Sequence, residues 1–273
     1  MSNIKGSIRI GRRSKVENID CEYRQTDYSI ESLNYILKDI DAVVHLAAMR
    51  GTDFNITIYH QNEIITENLY QSCIDLEIRN IVFASSVSVY SDITKIPWVE
   101  TQIPSPKTLY GVSKIACEYI GDIYHRKYGL NIKSLRIAQV LGEGERKGFM
   151  MNTFIDNAFE NKTLKVIGKS IAKREFVYVK DVARAIIMAL SKPEIHGTFN
   201  IGSGEAYTNL QIAQIVNECF DNEGNLEYYD YIDEGIESSL MDSSKAKNVL
   251  GYSPKYSFKE ALNEIKNIKS RSI

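Results

Sequence analysis

Residues 41–48 read Asp-Ala-Val-Val-His-Leu-Ala-Ala, and residues 80–85 read Asn-Ile-Val-Phe-Ala-Ser. Each is an apolar run of strand length without polar alternation, the pattern of a strand covered on both faces in a parallel sheet. NIKSLRIA at 131–138 and TFNIG at 198–202 have the same form, and a shorter run, FVYV, stands at 176–179. Helical spacing fills the intervals. Residues 30–39 carry Ile30, Leu33, Ile36 and Leu37, residues 54–76 form a longer helix, and residues 181–190 follow the short strand. Residues 110–128 place Val112, Ile115, Ala116, Tyr119, Ile120 and Ile123 at helical intervals. This alternation predicts an α/β fold, a doubly wound parallel sheet with right-handed crossovers. Residues 143–175 and 205–273 break the alternation. Their last helix, with Phe258, Ala261, Leu262, Ile265 and Ile268 on one face, belongs to a smaller α/β cap. Ligands of such sheets bind beyond the carboxyl ends of the strands, so a cap there builds a substrate pocket.

The chain has 273 residues, 44% hydrophobic and 25% charged, which excludes disordered and low-complexity classes. With 33 Lys and Arg against 35 Asp and Glu, the net charge of −2 offers no field for a polyanion, so nucleic acid is not an expected partner. No run of about 18 apolar residues predicts a membrane span. The basic N-terminus MSNIKGSIRIGRRSKV lacks the apolar segment of a secretory signal. Cys21, Cys73, Cys117 and Cys219 form no CxxC unit and no zinc cluster, and read as reduced, mostly buried thiols of a cytoplasmic protein.

Tyr110-Gly-Val-Ser-Lys114 has the form YxxxK. Residues i and i+4 share a helix face. An ammonium one turn from a phenol stabilises the phenolate and lowers its pKa, which makes a tyrosine a general acid/base near neutral pH. With 17 tyrosines the spacing also arises by chance, and a core Tyr beside a solvated Lys is the plain alternative. The context favours chemistry: Ser86 closes the run IVFASS, where a strand-end hydroxyl meets a substrate oxygen.

DAVVHLAAMR at 41–50, QNEIITENL at 61–69, IVFASSVSVYSD at 81–92 and YGVSK at 110–114 occur together in order. SLRIAQVLGEG at 134–144, REFVYVKDVARAI at 174–186, FNIGSGEAYT at 199–208 and MDSSKAKNVLGYSPKYS at 241–257 follow. The set resembles the extended short-chain dehydrogenase/reductases, in particular the NAD-dependent epimerase/dehydratase family of nucleotide-sugar enzymes. The resemblance implies a Rossmann-like cofactor domain of residues 1–142 plus about 176–204. The substrate-binding cap is then about 143–175 plus 205–273. It implies Ser86, Tyr110 and Lys114 as catalytic residues: Ser86 on the reacting sugar oxygen, Tyr110 as proton carrier, Lys114 on the nicotinamide ribose. Asp27 and Tyr28 match the segment beside adenine. Leu46, Ala47, Ala48, Met49 and Arg50 match a turn lining the dinucleotide, and Asn62 a helix asparagine near the cofactor. The resemblance adds Ala138 to the cofactor-binding positions, and Gln139 stands where the family often has Asn, beside the nicotinamide and sugar. Arg174 matches an arginine that meets the substrate diphosphate, which a planar guanidinium suits.

The family opens with a strand and a GxxGxxG loop, and this chain shows neither. GEGERKG at 142–148 and GSGE at 202–205 lie late and read as turns. Gly11 stands too close to Asp41 for a loop that precedes two further strands. SIRIG at 7–11 therefore reads as the second strand, and about 35–45 residues, with the first strand, phosphate loop and first helix, are missing from the pattern. The alternative is that residues 1–11 occupy the first strand's place. Arg12 and Arg13 follow this strand. At the ribose position they favour NADP over NAD, and otherwise they form a solvated basic turn. Val87 and Ser88 stand where the 4,6-dehydratases resemble each other in Asp and Glu, which disfavours dehydration. Residues 229–240 contain no second diphosphate-binding Arg.

The reading is an NAD(P)-dependent nucleotide-sugar 4-epimerase acting on a UDP-sugar, with NAD as cofactor and NADP left open. The alternatives are an NAD(P)H-dependent keto-sugar-nucleotide reductase and a cofactor-free binding domain. The helices at 54–76 and 110–128 resemble a homodimer interface, with Ile64, Tyr70, Ile120 and Tyr124 on their outer faces.

Overall fold

Ile81, Val82 and Phe83 are at most 1% exposed, so the second of the two runs that decide the fold is covered on both faces. In the first, Val43 and His45 are buried, Ala42 and Val44 are half-buried and Leu46 is exposed, so that strand buries one face fully. The structure, a computed structural model, describes residues 6–12, 21–51, 54–145, 148–233, 235 and 237–271. In chain order the elements are β1 (Ile8–Gly11), β2 (Glu22–Gln25), α1 (Ile30–Ile36), β3 (Ala42–His45), α2 (Ile56–Asp75), β4 (Asn80–Ser86), α3 (Leu109–Tyr128) and β5 (Asn131–Ile137). They continue with β6 (Gln139–Leu141), α4 (Met150–Phe159), β7 (Leu164–Ile167), β8 (Lys173–Tyr178), α5 (Val179–Leu190) and β9 (Gly197–Ile201). The last are β10 (Ala206–Thr208), α6 (Asn209–Cys219), β11 (Leu226–Tyr229), α7 (Ser244–Leu250) and α8 (Phe258–Arg271). The α/β class stands as expected.

The chain divides into two compact units. The first comprises Met1–Tyr90, Pro104–Arg136 and Ile186–Phe199, and the second Ser91–Ile103, Ile137–Ala185 and Asn200–Ile273. In the first, β3, β4, β5 and β9 form a four-stranded sheet in that order. β3 runs parallel to β4, with Val43 opposite Ile81 and His45 opposite Phe83. β1 and β2 form a separate parallel pair, Ile8 opposite Glu22. No strand among the described residues lies between that pair and β3.

Capping fixes where the helices of this unit begin. Ser29, Asn55 and Thr108 each accept a backbone N–H of the following turn, contacts worth about 1 kcal/mol apiece. Leu33, Ile36, Leu69, Cys73, Ile81 and Ile132 make the core.

α3 departs from the expected amphipathic face. Its buried residues are Gly111, Ser113, Lys114, Cys117, Glu118 and Gly121, while Val112, Tyr119 and Ile123 are 39%, 55% and 50% exposed. The apolar stripe faces outward and the polar one inward. The expected outer contacts need a matching correction. Ile64 is exposed, but Tyr70 is fully buried in the core, and Ile120 and Tyr124 pack partly against that core.

In the second unit β8 pairs parallel with β6 and antiparallel with β10, and β7 pairs parallel with β11. Leu141, Phe154, Val166, Phe176, Val216 and Leu262 belong to its core. Burial of such side chains contributes about 1.5–3 kcal/mol each. Three of the four cysteines are buried and all are free. Among the described residues no helix is long and apolar enough to cross a membrane.

Candidate active site

Thr108 caps α3 through a 3.0 Å bond from the Gly111 amide, which puts Tyr110 in the first turn and Lys114 one turn further on the same face. The helix start presses against the chain that follows β4. A Cβ on Gly111 would lie 2.2 Å from the Ser88 carbonyl oxygen and 2.9 Å from Pro106, so only glycine permits this approach. β4 ends at Ser86, whose Oγ accepts the Ser88 amide at 3.1 Å and starts a short 3-10 turn over Val87–Val89. The Ser86 hydroxyl donates to Ser88 Oγ at 3.1 Å and lies near enough to the Tyr110 phenol to pull its pKa down against burial. Lys114 is 2% exposed. Its Nζ donates to the Ala84 carbonyl at 2.7 Å, 5.6 Å from the Tyr110 ring centre and 4.8 Å from that of Phe83.

The electrostatics differ from the simple YxxxK expectation. Burial raises the Tyr110 phenol above its ordinary value, opposed by the Arg50 charge and the Ser86 hydroxyl. Burial pulls Lys114 down to about 8, while Cys117 and Glu118 act in the other direction. Both groups lie out of water, and desolvation outweighs their neighbours.

Asn62 holds the turn after β3. Its Oδ1 accepts the Met49 amide at 2.6 Å, and its Nδ2 donates to the Met49 carbonyl and to Ser113 Oγ, each at 3.0 Å. Ser113 Oγ in turn donates to the Tyr110 carbonyl at 2.9 Å. One amide therefore ties the segment of Leu46, Ala47, Ala48 and Arg50 to the turn that carries Tyr110. Beneath it, Thr66 donates to the Asn62 carbonyl at 2.7 Å, so the 2.9 Å contact between Thr66 Oγ1 and His45 Nε2 assigns the ring proton to Nε2. Burial, with the Lys114 charge beside it, pulls His45 down to about 3.

Arg12, Asp27 and Tyr28 form a second cluster of the same unit. The Arg12 guanidinium lies 5.4 Å from the Tyr28 ring centre. Asp27 accepts from the Ser29 hydroxyl and amide, which hold its carboxyl below the ordinary range. Tyr28 takes φ +67°, and its carbonyl accepts from Asn68 of α2 at 2.9 Å. Arg13 lies outside the described residues.

In the second unit Ala138 is buried, its amide bonded to the Ile201 carbonyl at 3.0 Å. Gln139 opens β6 opposite Phe176. Arg174 donates to Asn209 at 2.8 Å and stands 5.7 Å from the Phe176 ring centre. The GSGE segment is a closed turn, as expected. Glu175 accepts the Gly204 amide at 2.8 Å and the Met241 amide at 3.0 Å, and a Cβ on Gly202 would meet its carboxylate at 2.2 Å. A carboxylate of the chain itself sits where a phosphate loop would need an open anion site.

Sequence reasoning missed four polar residues beneath the site, Ser85, Ser113, Glu118 and Arg136. Glu118 was within reach, since it continues the YxxxK spacing by one more turn. Among the described residues no group of three His, Cys, Asp or Glu could hold a metal.

The sequence profile of the NAD dependent epimerase/dehydratase family matches residues 6–202. The crystal structure of UDP-N-acetylglucosamine 4-epimerase from Bacillus cereus is 47% identical, with a TM-score of 0.90 over 96% of this chain and 87% of that one. UDP-glucuronic acid 4-epimerase from Bacillus cereus, in complex with UDP-glucuronic acid and NAD, is 26% identical with a TM-score of 0.82 over 94% and 84%. The UDP-glucuronate 4-epimerase of Thermodesulfobacterium geofontis is 28% identical over 97% of this chain and 84% of its own length.

Proposed function

The chain belongs to the NAD dependent epimerase/dehydratase family, and from that premise we propose that it is a UDP-sugar 4-epimerase working through Ser86, Tyr110 and Lys114. The observation that carries this is the proximity of the Tyr110 phenol to the strand-end Ser86 hydroxyl, which pulls its pKa down against burial, with the buried Lys114 ammonium 5.6 Å from the Tyr110 ring centre. The 47% identical relative names a UDP-N-acetylhexosamine as the first substrate to try.

The residues present fit the nicotinamide side of NAD. Two of the three Lys114 protons remain for a ribose after the bond to Ala84, and Asn62 fixes the 46–50 turn. Arg12, Asp27 and Tyr28 serve the adenosine side. For the pyrophosphate, no GxxGxxG loop stands among the described residues of the first unit. NAD held by Lys114 and the 46–50 turn would supply the acceptor and donor of a hydride at the sugar C4. Tyr110 accepts the C4 hydroxyl proton at its phenol oxygen and later returns it to the epimeric alkoxide. Ser86 orients that oxygen by a hydrogen bond. The Arg50 charge, which lowers the Tyr110 phenol against its burial, and the Lys114 group 5.6 Å from the ring centre favour the phenolate. Gln139 and Arg174 of the second unit serve the sugar and the diphosphate. Val87 and Ser88 supply no carboxyl group, so the keto-sugar is returned rather than dehydrated. Residues 1–142 and about 176–204 are assigned to the cofactor and about 143–175 and 205–273 to the substrate, in a cytoplasmic homodimer.

Tyr110→Phe tests the assignment. It keeps the ring and removes only the proton carrier. We expect turnover of UDP-sugar to fall by about 10²–10⁴ while NAD affinity and thermal unfolding stay near those of the parent. A Tyr110→Phe protein that epimerises at the parental rate contradicts it. Stoichiometric consumption of NADH without epimer exchange would instead favour the reductase reading.

A further inference from the structure

We propose that Glu118 is a positioning residue for this site, one buried carboxylate that locks the first turns of α3 to the end of β4. The proposal rests on the epimerase reading for what is positioned, and on geometry for the positioning itself.

Glu118 follows Lys114 by one helical turn and Tyr110 by two, so the three share a face. It is 4% exposed, as is Arg136 of β5, and both of its oxygens are engaged. Ser85 Oγ donates to Oε1. Arg136 Nε donates to Oε1 at 3.0 Å and Nη2 to Oε2 at 2.6 Å. The remaining Arg136 amine, Nη1, donates to the Tyr90 hydroxyl at 2.6 Å, and the guanidinium lies 4.9 Å from that ring centre. One carboxylate therefore reaches the residue before Ser86, the neighbouring strand and, through Arg136, the residue that closes the turn after Ser86.

A buried ion pair is a poor device for stability alone, because an apolar pair of equal volume often does as well. What the pair supplies is a fixed distance. A fork-to-fork pair accepts one geometry, and a shift of about 1 Å between Tyr110 and Ser86 is enough to cost catalysis about a hundredfold. The carboxylate also balances charge. Lys114 is faced by Cys117 and Glu118 from its own helix and by His45 from β3. Removing Glu118 leaves the Arg136 cation as the uncompensated charge on this network.

The test uses Glu118→Gln, Glu118→Asp and the double variant Glu118→Leu/Arg136→Leu, read by kcat, KM, pH profile and amide hydrogen exchange without cofactor. For Glu118→Gln we expect kcat to fall at least about tenfold with KM for UDP-sugar within about threefold. We expect its alkaline limb to move to lower pH, and exchange over residues 84–90 to quicken. Glu118→Asp keeps the charge but is one methylene short, so it restores the limb and not the rate. The double variant regains folding and remains slow. A folded Glu118→Gln with parental rate, limb and exchange overturns the proposal, as does a double variant with parental kcat. If Glu118→Gln does not fold, the double variant decides by the same rate criterion. Should the parent itself turn over no UDP-sugar, the epimerase reading fails, and exchange over 84–90 still decides whether Glu118 holds the strand end.

Discussion

His45 shows how the environment of a single side chain sets a measurable property of the protein. The ring donates to Thr66, and its burial, with the Lys114 ammonium nearby, keeps it neutral down to about pH 3. An unfolded chain protonates the same ring below about pH 6.5. Between these values the unfolded state holds the extra proton, so His45 stabilises the fold above about pH 6.5 and that contribution is lost as the pH falls. Glu175 acts in the opposite sense, because burial raises its carboxyl. Comparison with His45→Gln isolates the histidine. From about pH 6.5 to about pH 5 the parent should lose about 2 kcal/mol more than the variant in urea unfolding. Parallel slopes would contradict the assigned burial. The proposed set of Ser86, Tyr110 and Lys114 draws on local signals in the sequence, i,i+4 spacing and a strand-end serine. The Glu118–Arg136 pair was not legible there, since its members lie on different elements and a charged residue in a strand reads only as an interruption.

At the scale of elements, α3 shows what a pattern can and cannot fix. Helical spacing told where the helix runs, from Leu109 to Tyr128, but not which stripe turns inward. Glycine, serine, cysteine, lysine and glutamate make the inner face, where Lys114 bonds the Ala84 carbonyl and Glu118 bonds Ser85 and Arg136. Two glycines of this helix therefore respond differently to a methyl group. Gly111→Ala drives a Cβ into the Ser88 carbonyl and Pro106. We expect a loss of about 1–3 kcal/mol in thermal unfolding, together with slower turnover from a displaced Tyr110. Gly121→Ala meets Ile132 Cδ1 at 3.4 Å and gains the helix preference of alanine. Its expected change lies between zero and a stabilisation of about 1 kcal/mol. Equal effects at the two positions would refute the close approach. The β1–β2 pair was half legible: the run at 7–11 announced itself, whereas Glu22–Gln25, with two charged residues in four, did not.

For the whole molecule, the outward apolar stripe of α3, with Tyr119 and Ile123, and the exposed Ile64 of α2 are what the proposed homodimer would cover. Ile123→Glu should halve the mass seen in sedimentation without lowering monomer stability, and a parent that sediments as a monomer would exclude this interface. The account as a whole stands on catalysis at the sugar C4. The direct measurement is proton NMR of UDP-N-acetylglucosamine incubated with the purified 273-residue chain and NAD, repeated from the C4 epimer, with UDP-glucose and UDP-glucuronate alongside. The account predicts that at least one pair reaches the same mixture from either side, with no net change in NAD. A folded protein that interconverts none of the pairs from either direction would contradict it.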